Sequence, residues 1–111
     1  MFSLFGYNDF EVKNMIENLT EKLTEESYEL YNKDNIMIAQ ILFPKIENNL
    51  FCITHTFVDP CLRGMGVASE LVEKVIEVAR LNGYQITATC SYARSYFAKN
   101  PNDIYIIKSD L

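Results

Sequence analysis

The stretch from Leu50 to Thr89 constrains the fold more than any other part of the chain. Leu50 to Val58 is a β-prone run, and Asp59-Pro60 stops it. From Val67 the apolar residues fall at Leu71, Val72, Val75, Val78 and Ala79, a period that predicts an amphipathic helix over about 65–81. Asn82-Gly83 closes that helix with a left-handed cap, and Gln85 to Thr89 reads as a second strand. Strand, helix and strand form a right-handed parallel unit, and ligands of such units bind at the carboxyl end of the first strand.

At that end stands Arg63-Gly64-Met65-Gly66-Val67-Ala68. Its glycines fall at a helix N-terminus, where backbone N–H groups lack partners and the helix dipole contributes roughly half a positive charge. Glycine also lets the backbone approach an anion without a Cβ in the way. These six residues are therefore expected to hold a phosphate group; the ordinary alternative is a glycine-containing loop before a helix. Counting excludes two other phosphate motifs. Gly64 and Gly66 are too close for a P-loop and are followed by Val-Ala-Ser, and a dinucleotide-binding fingerprint needs glycine where Ser69 stands.

What remains, Arg63-x-x-Gly66-x-Ala68, resembles the (Gln/Arg)-x-x-Gly-x-(Gly/Ala) coenzyme A signature of the GCN5-related N-acetyltransferases (GNAT superfamily). The flanking residues His55-Thr56-Phe57-Val58-Asp59-Pro60, Ala88-Thr89-Cys90-Ser91-Tyr92-Ala93 and Tyr96-Phe97-x-x-Asn100-Pro101 are similar to a small single-domain branch of it, the YjdJ-like N-acetyltransferase domain proteins. The resemblance covers about residues 26–108. It implies an α/β fold with a mixed sheet, mainly antiparallel with one parallel βαβ unit and helices on both sides, and a shortened helical lid. It implies acetyl-CoA as cosubstrate and a small-molecule or peptide amine as acceptor. Relatives commonly read His-Pro where this chain has Asn100-Pro101, so an acid or base at that position is not carried over. The shortened lid leaves a competing expectation, a non-catalytic acyl-CoA-binding or protein-interaction module.

Composition fits that picture. Fifteen acidic against ten basic residues give a net charge of −5, with no run of Lys or Arg, which disfavours a nucleic-acid partner. An anionic coenzyme must then be held by local dipoles and a few cations such as Arg63. Three cysteines and one histidine match no zinc-site spacing and no paired-disulfide framework, so no metal is expected and the cysteines are expected as thiols. The opening Met-Phe-Ser-Leu-Phe-Gly lacks the features of a secretion signal, and no run approaches the ~20 apolar residues of a membrane span. A cytoplasmic protein, monomer or homodimer, is expected.

The 111 residues suit one domain. An N-terminal helical extension over 1–25 is expected, capped by Asn8 or Asp9, because Val12, Met15, Ile16, Leu19 and Leu23 recur at helical spacing. Ser27–Tyr31 and Ile36–Phe43 read as strands before the Leu50–Val58 run, Ser91–Lys99 as a short helix, and Ile104–Ile107 as a last strand or helical turn.

Candidate chemistry follows from these placements. Thr56, Phe57 and Val58 would offer backbone groups to the pantetheine amides, and the N–H groups near Phe57 and Val58 would polarise the acyl oxygen. Cys90, at the end of a strand and just before a helix that would stabilise negative charge, is by the resemblance a candidate acyl acceptor; its alternative is a small buried residue. His55 is the single imidazole and shares strand parity with Phe51, Ile53 and Phe57, so it is expected as a hydrogen-bonded core residue, with general-base chemistry as the alternative. Tyr92, Tyr96 and Lys99 recur on one face of the last helix. Tyr92 or Tyr96 would protonate the departing sulfur, and all three would line the coenzyme site; their alternative is packing.

Overall fold

The computed structural model of the protein describes residues 18–108. Along them the chain forms β1 (Thr20–Leu23), β2 (Ser27–Tyr31), β3 (Met37–Leu42), β4 (Lys45–Glu47), β5 (Leu50–Ile53) and β6 (His55–Val58). A single 3-10 turn (Pro60–Leu62) follows, then α1 (Val67–Asn82), β7 (Gln85–Ala88) and α2 (Ser91–Lys99). The mixed architecture agrees with the reading of the sequence: β1-β2-β3-β6 is antiparallel throughout, and β4-β5-β7 joins an antiparallel pair to the parallel pair β5/β7.

Two sheets arise because the run Leu50–Val58 is not one strand. It breaks at Thr54. The Ile53 carbonyl accepts the N–H groups of Thr89 and Cys90, at 3.0 and 3.2 Å, whereas the Thr54 N–H donates to the Leu42 carbonyl at 3.0 Å. Consecutive residues thus bind different sheets, and past this point β6 stays with β3 while β7 parts from it. A cleft opens between them.

The crossover helix α1 covers one side. Leu71, Val72, Val75 and Ala79 are its buried stripe, packed against a core that includes Ile41, Phe43, Ile53 and Ile86. Burying a side chain such as Leu71 contributes about 2–3 kcal/mol. Gly83 ends the helix at φ 70°, with its own N–H on the Arg80 carbonyl and the Tyr84 N–H on the Ala79 carbonyl, the paired bonds of a Schellman cap. No helix among the described residues is long and apolar enough to cross a membrane.

Three expectations need correction. Leu19 and Leu23 do not belong to a helix. Thr20–Leu23 pairs antiparallel with Tyr28–Tyr31, and the Tyr28 hydroxyl donates to Glu21, so ladder partners override a spacing that also fits a helical stripe. The earlier part of that expected helix lies outside the described residues. Lys45–Glu47, outside the strands read from the sequence, is a strand turned onto β5 by Asn48-Asn49, where Asn49 takes φ 60°. Residues 104–107 form neither strand nor helix but a single parallel bridge, Tyr105 to Ile86.

The cap yields a stability test. Replacing Gly83 by Ala puts a Cβ on left-handed backbone and should cost about 1 kcal/mol. Thermal melting should fall by about 4–8 °C; an unchanged melt would show that the cap tolerates a side chain.

Candidate functional site

The glycine loop is held at its start and open at its end. The Asp59 carboxylate accepts the Cys61 N–H at 3.0 Å and heads the 3-10 turn, and Leu62 is sunk in the core. Hydrogen bonding from Cys61, through its side chain first and then its backbone, with a smaller contribution from the Arg63 charge, keeps Asp59 below the usual carboxylate range. Gly64 and Gly66 then adopt φ values of 85° and 81°, and a Cβ on either would meet nothing within 4 Å. The conformation, not crowding, calls for glycine there. No side chain caps α1 at Gly66, and the first backbone bond of the helix is Glu70 N–H to the Gly66 carbonyl, 3.1 Å. The amides ahead of it are left to solvent or to an anion. Arg63 is exposed beside them.

A second helix start opens at the same end. The Tyr92 hydroxyl lies 3.1 Å from Ser69 Oγ, and the Tyr96 hydroxyl donates to Glu73 at 3.5 Å, so α1 and α2 run side by side in the same direction. Their N-termini are both at the carboxyl ends of β5 and β7. Cys90 occupies the N-cap of α2, again without a side-chain cap bond. Its Sγ lies 3.3 Å from Thr56 Oγ1, so this contact spans the cleft from α2 to β6. Burial first, then the Glu73 charge, raises the Tyr96 phenol above its ordinary range, which keeps it protonated and able to donate.

β6 is the edge strand of its sheet. The Asp59 N–H bonds the Ile38 carbonyl at 2.8 Å, and the two-residue alternation of an antiparallel ladder turns the Phe57 amide toward β3 as well. The amides of Thr56 and Val58 face outward, into the cleft. Of the two backbone groups expected to serve an acyl oxygen, the Val58 amide faces away from β3 and the Phe57 amide faces toward it.

His55 corrects another expectation: it is exposed, not a core residue. Its parity with Phe51 and Ile53 was counted through Thr54, where the strand breaks, so the count does not carry across. Lys99 is in the last turn of α2, about 13 Å along the helix from Cys90 at 1.5 Å per residue, and away from the cleft. Asn100 terminates α2, its side-chain amide donating to the Tyr96 carbonyl at 2.9 Å.

The glycine loop, Thr56, Val58, Cys90 and Tyr92 are thus brought to one end of the fold, and Tyr96 follows one turn further along α2, on Glu73. The sequence did not single out Thr56 Oγ1, Ser69 or Glu73 as side chains, because each acts through a partner on another element. Cys52, Cys61 and Cys90 are thiols, and no group of three or more His, Cys, Asp or Glu suited to a metal occurs among the described residues.

Comparison with known proteins bears on this geometry. A family model described as GCN5-related N-acetyl-transferase matches residues 27–105. The solution structure of a GCN5-like protein from Staphylococcus aureus is similar, with 33% identity and a TM-score of 0.69 over 83% of this chain and 92% of that one. A GNAT-family acetyltransferase from Staphylococcus aureus Mu50 has 19% identity and a TM-score of 0.57 over 67% of this chain and 50% of its own. A Bacillus anthracis protein of streptothricin acetyltransferase type, crystallised with acetyl coenzyme A, has 21% identity and a TM-score of 0.53 over 71% of this chain and 47% of its own. At those identities the last two speak to the fold alone, and this chain spans half or less of their length. No curated protein matches the chain.

Because His55 is on the surface, His55→Gln should change stability by no more than about 0.5 kcal/mol. Chemical denaturation of the two proteins side by side checks this; a loss above about 1 kcal/mol would return His55 to the core.

Proposed function

The chain belongs to the GCN5-related N-acetyltransferase family, and from that premise we propose that it binds acetyl-CoA and transfers the acetyl group to an amine. One observation carries the reading: an uncapped helix start preceded by two glycines in left-handed conformation, at the mouth of a cleft lined by an unpaired strand edge. The amides of Val67 and Ala68, with Arg63 beside them, suit the pyrophosphate. The outward groups of Thr56 and Val58 suit the pantetheine amides and the acyl oxygen.

Acetyl-CoA supplies an acyl group activated as a thioester. An amine nitrogen bonds to the acyl carbon, the carbon–sulfur bond breaks, the nitrogen gives up a proton, and the sulfur takes one. The Val58 amide opposes the charge that develops on oxygen. Tyr96, held protonated beside Glu73, is the proton donor, with Tyr92 next to it. Cys90 offers a two-step route in which its sulfur takes the acetyl group before the amine does, with Thr56 Oγ1 orienting it. The competing reading, an acyl-CoA-binding module without turnover, draws on Asn100, which ends a helix where relatives commonly carry histidine.

Gly66→Glu places a carboxylate and a strained left-handed residue at the helix start. It should cost about 1–2 kcal/mol in stability and abolish acetyl-CoA binding by calorimetry; wild-type affinity in a folded variant would remove the cradle. For the acyl route, intact mass and peptide mapping after incubation with acetyl-CoA should place an adduct on Cys90 and on neither Cys52 nor Cys61. Full activity of Cys90→Ala, with no adduct in the wild type, would leave direct transfer as the mechanism.

A further inference from the structure

A groove on the far side of α2 lies apart from the cleft between β6 and β7. Successive residues of a helix are turned by about 100°. Tyr92 and Tyr96 therefore share the face that meets Ser69 and Glu73 of α1, Ala93 and Phe97 the face sunk in the core, and Arg94 and Ala98 the next face round. That third face looks onto residues 104–106, which lie along the outer edge of β7. There the Ile86 N–H donates to the Ile104 carbonyl and the Ile106 N–H to the Ile86 carbonyl, both at 2.8 Å. Between helix and segment is an open groove of about 700 Å³.

Its apolar surface is flat and its polar side chains donate. Phe97 stacks on Tyr105 with ring centroids 4.1 Å apart and planes 11° from parallel, and Pro101 and Ile107, the latter 86% exposed, extend the apolar lining. Arg94 donates through Nε to the Ala88 carbonyl at 2.9 Å, which sets the direction of the guanidinium. Among the described residues no ion pair engages Arg94, whereas Lys108, also in the lining, is paired with Glu47 at 2.7 Å. Asn102 Oδ1 accepts from Arg80 Nη2 and from the Ile104 N–H, so its side chain has only donors left to offer. No acidic side chain among the described residues lines the groove. One uncompensated cation in a chain of net charge −5 suits a ligand with a single negative charge better than a phosphate dianion. The guanidinium edge beyond Nε presents parallel N–H groups, the fork that matches a carboxylate. We propose that this groove binds a small aromatic carboxylate, its two oxygens on Arg94 and its ring against Pro101, Tyr105 and Ile107. The site stands apart from acyl transfer, since it draws on no residue of the glycine loop, of β6 or of the Tyr92–Tyr96 face.

The test is a titration of the full chain, followed by amide chemical shifts, with benzoate, with benzamide, which has the ring without the charge, and with acetate, which has the charge without the ring. Benzoate should move the amides of Arg94, Ala98, Asn102, Tyr105 and Ile107 along one saturable curve and bind about tenfold or more tighter than either of the others. Arg94→Gln should weaken benzoate by about tenfold or more, as loss of a charge-assisted pair implies. Because Arg94 also ties α2 to β7, Ala98→Glu is the second variant: at this exposed position a carboxylate repels the ligand and leaves that bond alone. It should weaken benzoate to a similar extent and melt as the wild type does. Equal binding of the three compounds, wild-type affinity in either folded variant, or benzoate shifts confined to Val67, Ala68 and Cys90 would each overturn the site. So would shifts of the groove amides that follow protein concentration without benzoate, the mark of a second copy seated there.

Discussion

Everything at the candidate site depends on the change of partner between Ile53 and Thr54. A carbonyl that serves Thr89 and Cys90 is followed directly by an amide that serves Leu42, so two neighbouring peptide groups commit the chain to different sheets. Because β7 ends at Ala88, opposite Ile53, and β6 is the edge of its own sheet, the outward groups of Thr56 and Val58 have no strand beside them. The break leaves them with unmet hydrogen-bonding capacity beside two helix N-termini that are also uncapped. Unpaired backbone at such density is costly when buried away from water, so it is tolerated here because the cleft is open to solvent or filled by a polar ligand.

The same arrangement answers a problem of charge. A chain of net charge −5 has no global field with which to attract an anionic coenzyme. The site proposed above draws instead on oriented peptide dipoles, those of the first turns of α1 and α2, with Arg63 as the nearby cation. Dipoles of this kind act over a turn or so and are fixed by the fold, so an acidic surface does not by itself weaken them.

Much of this was legible in the sequence where the determinants are local. The stripe of α1 with its Gly83 cap, the bounds of α2 and the strand β2 are written in period and punctuation within a few residues. The break at Thr54 was not legible, because it is set by Leu42 on one side and by Thr89 and Cys90 on the other. His55, expected inward, is exposed past this break, and of the amides expected at Phe57 and Val58 only that of Val58 faces away from β3. Thr56 and Cys90 lie 34 positions apart, and no local pattern announces their contact. β1 was misread for a different reason: Leu19 and Leu23, four apart, satisfy a helical template, and the pairing with β2 decides against it.

The parallel pairing of β5 with β7 has a kinetic side. The antiparallel ladders of β1 with β2, β2 with β3, and β4 with β5 join neighbours in the chain and need only short loops to close. β5 and β7 meet only after the whole of α1 has been looped back between them, the largest closure among the strand pairs. The loss of chain entropy for that step precedes the contacts that reward it. A chain with its meander formed and β7 not yet docked has most of its antiparallel ladder but no cleft wall, no start for α2 and no partner for Thr56. Competence to bind therefore depends on the longest loop closure among the strand pairs.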